Sequence, residues 1–117
     1  MVYAAGSLSL AVLEFLVHVD PANAPEVVQV KLEVPDDAPA EAMRAADLPR
    51  DWKTYPGPIA LRDLGTAWAA RGKSLVLTVP SAITEEEIAL INPRHPTFGA
   101  IDTRILPFSI DPRLLGP

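Results

Sequence analysis

Thirteen prolines in 117 residues cut this chain into short, firmly ended elements. A proline lacks a backbone N–H and fixes its own φ, so each one ends a helix or stays out of a sheet interior. The opening stretch, Met1 to Asp20, organises what remains. An apolar run from Leu8 to Val19, long enough for three helical turns, encloses a single acid, Glu14. Its apolar residues cover nearly the whole circumference, the pattern of a helix buried on most sides. A buried carboxylate without a partner costs several kcal/mol or takes up a proton, so Glu14 is expected to be paired, solvated by a cleft, or used. His18 lies one turn further on, and on the residues alone an ion pair between them is the favoured account.

Val2 to Ala4 reads as a short strand, Gly6 as a turn, and Ser7 or Ser9 as the cap of the helix, which Asp20-Pro21 stops. Residues Glu26 to Val34 alternate, with Val28, Val30, Leu32 and Val34 on one face and Gln29, Lys31 and Glu33 on the other, as in a strand with one wet face. Ala40 to Ala46 is predicted as a short helix. The segment to Pro58 is predicted as an ordered loop pinned by Trp52 and Tyr55. Leu61, Leu64, Ala67 and Trp68 mark a second helix over Ile59 to Ala70, with Arg71-Gly72 as its exit. Ser74 to Val79 is a strand ended by Pro80. Thr84 and Glu87 have capping-box spacing and predict one helical turn. Asn92 to Pro96 forms a rigid loop, and Ile101 to Ile110 a last strand interrupted by Pro107. This order predicts one mixed α/β or α+β domain over residues 1–117, a small mixed sheet with packed helices.

Composition narrows the function. A net charge of -5 with scattered basic residues argues against a nucleic-acid surface. The apolar run contains Glu14 and His18 and has no basic residue ahead of it, so it fits neither a secretory leader nor a membrane span. The absence of cysteine removes thiolate chemistry and suits a reducing cytoplasm. No HExxH and no carboxylate cluster at ligand spacing is present, so no metal is expected. Ser81 lacks a GxSxG elbow and reads as a turn or cap residue; Asn92 and His95 are candidate catalytic residues, although a proline-flanked Asn more often closes a turn.

Four stretches taken together resemble the RES domain family, named for an Arg, a Glu and a Ser. They are VYAAGSLSLAVLEFLVH from Val2, VPSAI around Ser81, INPRHPTF from Ile91, and PFSIDPRLL from Pro107. They follow in the right order over essentially the whole chain. The resemblance implies an ADP-ribosyltransferase-like fold and a toxin that degrades NAD by phosphorolysis or hydrolysis of the nicotinamide–ribose bond, neutralised by a helix-turn-helix antitoxin. It makes Glu14 the family's acid, Ser81 its serine, and Tyr3 a residue that can stack on nicotinamide. NAD is then the substrate, inorganic phosphate or water the acceptor, and no cofactor is required; self-association within a toxin–antitoxin complex is left open. Family members carry an Arg-bearing strand and a G-R-W-N-like motif ahead of this region, so the chain is expected to be truncated at its start. Arg44, Arg50, Arg62, Arg71, Arg94, Arg104 and Arg113 all lie downstream, and Ile88 stands where relatives usually carry Asn. The alternative is therefore an inactive remnant that retains only antitoxin binding.

Overall fold

A computed structural model describes residues 1–116. Among them are two α-helices and six strands in two sheets, the mixed α+β arrangement predicted from the sequence. The larger sheet has the order β1 (Val2–Ala5), β5 (Glu87–Ile91), β4 (Val76–Pro80), β3 (Ala40–Ala42). Its pairings are antiparallel except between β3 and β4, which run parallel. A parallel pair needs a long crossover, and α2 (Ile59–Arg71) supplies it. The second sheet is a two-stranded antiparallel ribbon of β2 (Val28–Glu33) and β6 (Asp102–Pro107).

Register decides which side chains meet, because residues directly opposite in a ladder share a face. Leu77 of β4 lies opposite Leu90 of β5, which lies opposite Tyr3 of β1. Leu77 and Leu90 pack against the buried Trp68 of α2, with Met43, Val79 and Ile88 around them. On the other face Leu75, Val76 and Ile91 form a second cluster that takes in Leu32, Val34, Ala38 and Ile101. Trp68 also donates its indole N–H to Ser74 Oγ at 2.8 Å and to Glu41 Oε2 at 3.1 Å, and Ser74 donates to the same carboxylate oxygen. This network ties the edge strand β3 to α2 through a side chain that would otherwise bury an unpaired donor.

The first helix, α1 (Leu8–Leu16), is shorter and more exposed than its sequence predicts. Ser7 caps it, accepting from Leu10 N–H at 3.1 Å. Beyond Leu16 the chain tightens: His18 N–H reaches Phe15 O, and Asp20 turns its carboxylate onto Ala22 N–H and the Asn23 amide ahead of a short 3-10 turn at Pro21–Asn23. Of its apolar residues only Leu10 is fully buried, while Leu8 and Leu13 face outward. The physical reason is thickness. The molecule measures 45 × 35 × 19 Å with a radius of gyration of 15.3 Å, against about 13 Å for a compact chain of this length. A slab that thin has too few layers to cover a helix on every side.

Four further expectations are corrected. Ala40–Ala42 is a strand rather than a helix, because backbone bonds from Leu75 N to Pro39 O and from Met43 N to Thr78 O extend its ladder with β4. Tertiary pairing there overrides the helix preference of alanine. Thr84 to Glu87 forms no helical turn. Ser81 N donates to Glu86 O and Glu85 N to Ser81 O, closing a tight loop with Glu85 at φ 65°, and Glu87 already opens β5. In β2, Leu32 reaches the core but Val28 remains 58 % exposed, since the ribbon has a neighbour at only one end. Trp52 pins the loop before α2, whereas Tyr55 is 89 % exposed and pins nothing. Among the described residues, no helix is long and apolar enough to cross a membrane.

Candidate active site

Glu14 projects from the last turn of α1, and Ser81 stands where β4 turns into β5. The fold brings these residues, 67 positions apart, into direct contact: Ser81 Oγ donates to Glu14 Oε1 at 2.6 Å. That length is typical of a hydroxyl bonded to an ionised carboxylate, a stronger contact than one between neutral groups. The same oxygen accepts from Ile83 N–H at 3.0 Å and from Thr84 N–H at 3.3 Å. A hydroxyl has one proton to give and two lone pairs to receive with, so Ser81 is fully occupied. At 2 % exposure it is also walled off from solvent. Its geometry is that of a positioning group: two loop amides fix the oxygen, and its proton fixes one carboxylate oxygen of Glu14. Among the described residues no hydrogen bond engages the other oxygen, Oε2.

The ion pair between Glu14 and His18 does not form; Ser81 takes the carboxylate instead, and the helix ends two residues before the histidine. Glu14 and Ser81 line a cleft of about 510 Å³. Leu77 and Leu90 of the sheet, Leu61 and Leu64 of α2, and Trp52 also line it. Tyr3 also lines this cleft, standing at its mouth with 71 % of its surface exposed, so its ring is open to a ligand. All three residues singled out in the sequence thus share one cavity. Its volume falls in the range of small-molecule sites, and its lining is mainly apolar with a few convergent polar groups.

Asn92 and His95 lie elsewhere. Asn92 is buried and donates to Ala69 O near the end of α2 while accepting from Arg94 N–H, which makes it a brace between a turn and a helix. The His95 ring bonds within its own turn to Thr97. Among the described residues, no three His, Asp or Glu side chains gather as a metal site. Two features of the cleft escaped the sequence reading. Arg62 lines it, and no spacing pattern in the sequence singles that arginine out. Lys53 pairs with Glu85 at 2.8 Å and stands over the Trp52 ring, strapping the loop before α2 to the loop that carries Ser81. No sequence pattern announces that pair.

An α+β domain whose cleft rests on a helix carboxylate, held by a serine from a β-hairpin, defines a narrow class of site. The chain belongs to the RES domain family, whose model matches residues 1–111. It is 37 % identical over 117 residues to the protein named Toxin Res of Yersinia enterocolitica, covering 97 % of this chain and 76 % of that one. It is 38 % identical over 120 residues to the Prs ADP-ribosylating toxin of Sphingobium, covering 98 % of this chain and 74 % of the relative. A Toxin Res of Pseudomonas putida is 35 % identical over 118 residues, with 97 % and 79 % covered. The chain is therefore similar to RES toxins along nearly its whole length.

Proposed function

We propose that this chain is a RES-type toxin that degrades NAD in the cytoplasm by cleaving the bond between nicotinamide and ribose. The observation that carries the reading is the carboxylate of Glu14, oriented by Ser81 with its second oxygen unengaged, in a mainly apolar cleft that also contains an open tyrosine ring. The ribose–nitrogen bond breaks with its electron pair passing to the pyridinium nitrogen, so nicotinamide departs neutral. Positive charge builds on the ribose as it does so, and a carboxylate fixed beside it stabilises that charge without having to reorganise. Phosphate or water then supplies the oxygen that completes the new bond to the ribose carbon, and in the case of water a proton is released. Glu14 Oε2 is the group that faces the ribose or aligns the acceptor; Tyr3 stacks on the nicotinamide ring; Ser81 acts through Glu14.

The test is nicotinamide release from NAD by the purified chain, with and without inorganic phosphate. Release is expected, and Glu14→Gln, which keeps the shape and removes the charge, should reduce it by about 100-fold or more. NAD left intact by wild-type protein that is shown to be folded would overturn the reading.

The same reading gives the chain a helix-turn-helix antitoxin as its partner. Surface supports a protein partner: the chain exposes 8208 Å², against about 6200 Å² for a compact monomer of this mass. Leu8, Leu13 and Val17 of the first helical region contribute apolar area to that excess. Co-expression with a helix-turn-helix antitoxin should restore growth and yield a complex on gel filtration; growth arrest unrelieved by any such protein counts against it.

A further inference from the structure

The cleft holds a cation for which the reading above has no task. Arg62 stands in the first turn of α2 and lines the same cavity as Glu14 and Ser81. Two other arginines carry acidic partners: Arg44 pairs with Asp47 and Arg113 with Asp111. Among the described residues Arg62 has no such partner, and it is the one basic side chain in the cleft lining. Its guanidinium is exposed, so a ligand reaches it without displacing protein.

We infer that Arg62 binds the phosphate-bearing half of the substrate and so makes this cleft selective for a nucleotide over a nucleoside. The inference rests on the reading of the cleft as an NAD site. A guanidinium presents paired N–H donors in a plane that matches two phosphate oxygens, and it keeps its charge at every physiological pH. The charge layout also fixes direction. Glu14 repels a phosphate and attracts the cationic ring end of the ligand, while Arg62 does the reverse, so a molecule with a pyridinium at one end and a pyrophosphate beyond it enters in one orientation. A substrate that lacks phosphate has nothing to offer Arg62 and loses only that contact.

Nicotinamide riboside carries the same scissile bond without phosphate, which makes it the comparison substrate. Arg62→Gln should lower kcat/KM for NAD by about 10- to 100-fold, mainly through KM, and lower it for nicotinamide riboside by a much smaller factor. Arg62→Lys should fall between the two, retaining charge without the fork. A loss shared equally by both substrates, or none for NAD, overturns the assignment. Equilibrium binding of ADP-ribose gives a readout independent of turnover. Affinity that falls by a similar factor in Arg62→Gln and weakens with added salt supports the anion site, even if NAD is never cleaved and the catalytic reading fails. ADP-ribose that binds both proteins alike, or binds neither, overturns the site whatever happens to NAD.

Discussion

Replacing Ser81 with alanine removes one oxygen atom and three hydrogen bonds at once. Glu14 Oε1 loses its 2.6 Å donor, and the amides of Ile83 and Thr84 lose their shared acceptor. A hydrogen bond to a charged group contributes about 1.5–3 kcal/mol. If that energy serves to hold Glu14 in place for the developing ribose cation, its loss slows NAD cleavage by about 10- to 150-fold. The amides are partly buried in the loop and cost roughly 1–3 kcal/mol when left without a partner. At a melting entropy scaled to this length, each kcal/mol lowers Tm by about 4 °C. Nicotinamide release and thermal melts should be measured on Ser81→Ala beside Glu14→Gln. Glu14→Gln should lose activity with little change in Tm, whereas Ser81→Ala should lose activity and stability together. Ser81→Thr, which restores the hydroxyl, should recover part of both. If Ser81→Ala turns over NAD at the wild-type rate while Glu14→Gln is inactive, the serine does not position the acid and the argument fails.

Other perturbations probe the scaffold around the cleft. Ser74→Ala removes one partner of the Trp68 indole and of Glu41, and should destabilise the fold by about 1–3 kcal/mol, read from urea midpoints; an unchanged midpoint would show that the network adds nothing. Glu85→Gly relieves a left-handed backbone at φ 65°, a gain of about 1 kcal/mol, offset by the exposed pair with Lys53, which contributes at most about 1 kcal/mol. A net change beyond roughly 1 kcal/mol in either direction would contradict that balance. The Asp20 carboxyl is held below its ordinary value of 3.8 by the Asn23 side-chain amide and then by Ala22 N–H. A depressed value means that its stabilising contribution is present above the unfolded pKa and is lost as pH falls through the folded one. The stability difference between wild type and Asp20→Ala should therefore shrink as pH drops from 6 to below the ordinary carboxylate range, and a difference that stays constant with pH would refute the assignment.

What could be read from the sequence follows from how much each element depends on its own residues. α2 and β4 carry their pattern locally: Leu61, Leu64 and Trp68 repeat at helical spacing, and Leu75 to Val79 form an apolar run ended by Pro80. The strand β5 carries no such signal. Ile88, Ala89, Leu90 and Ile91 are apolar on both faces because Ile88 and Leu90 pack in the cluster around Trp68 while Ala89 and Ile91 pack in the opposite one, and a strand covered on both faces shows no alternation. Strand β3 exists only through its pairing with β4, so its alanines read as a helix. Burial around α1 is not set by its own residues either: an apolar circumference states what a helix can bury, and the number of layers in the molecule decides what it does bury. At the cleft, local spacing put His18 beside Glu14. The serine that actually holds the carboxylate lies 67 residues away, and only the family resemblance pointed to it.

The order of the strands also sets the order of assembly. β4 and β5 are joined by a short loop from Pro80 to Glu87, so the hairpin carrying Ser81 closes at little entropic cost. Strand β1, which leads directly into the helix of Glu14, forms its ladder with β5, pairing Val2 to Ile91 and Ala5 to Ile88. Closing a chain of that length costs roughly 4 kcal/mol in loop entropy, about twice the hairpin's share. A ribosome therefore delivers the acid first and its anchor last. Until residue 91 has emerged, β1 has no ladder to join and the carboxylate has no stable place beside Ser81, so a nascent chain carries the residues of the cleft without the cleft itself.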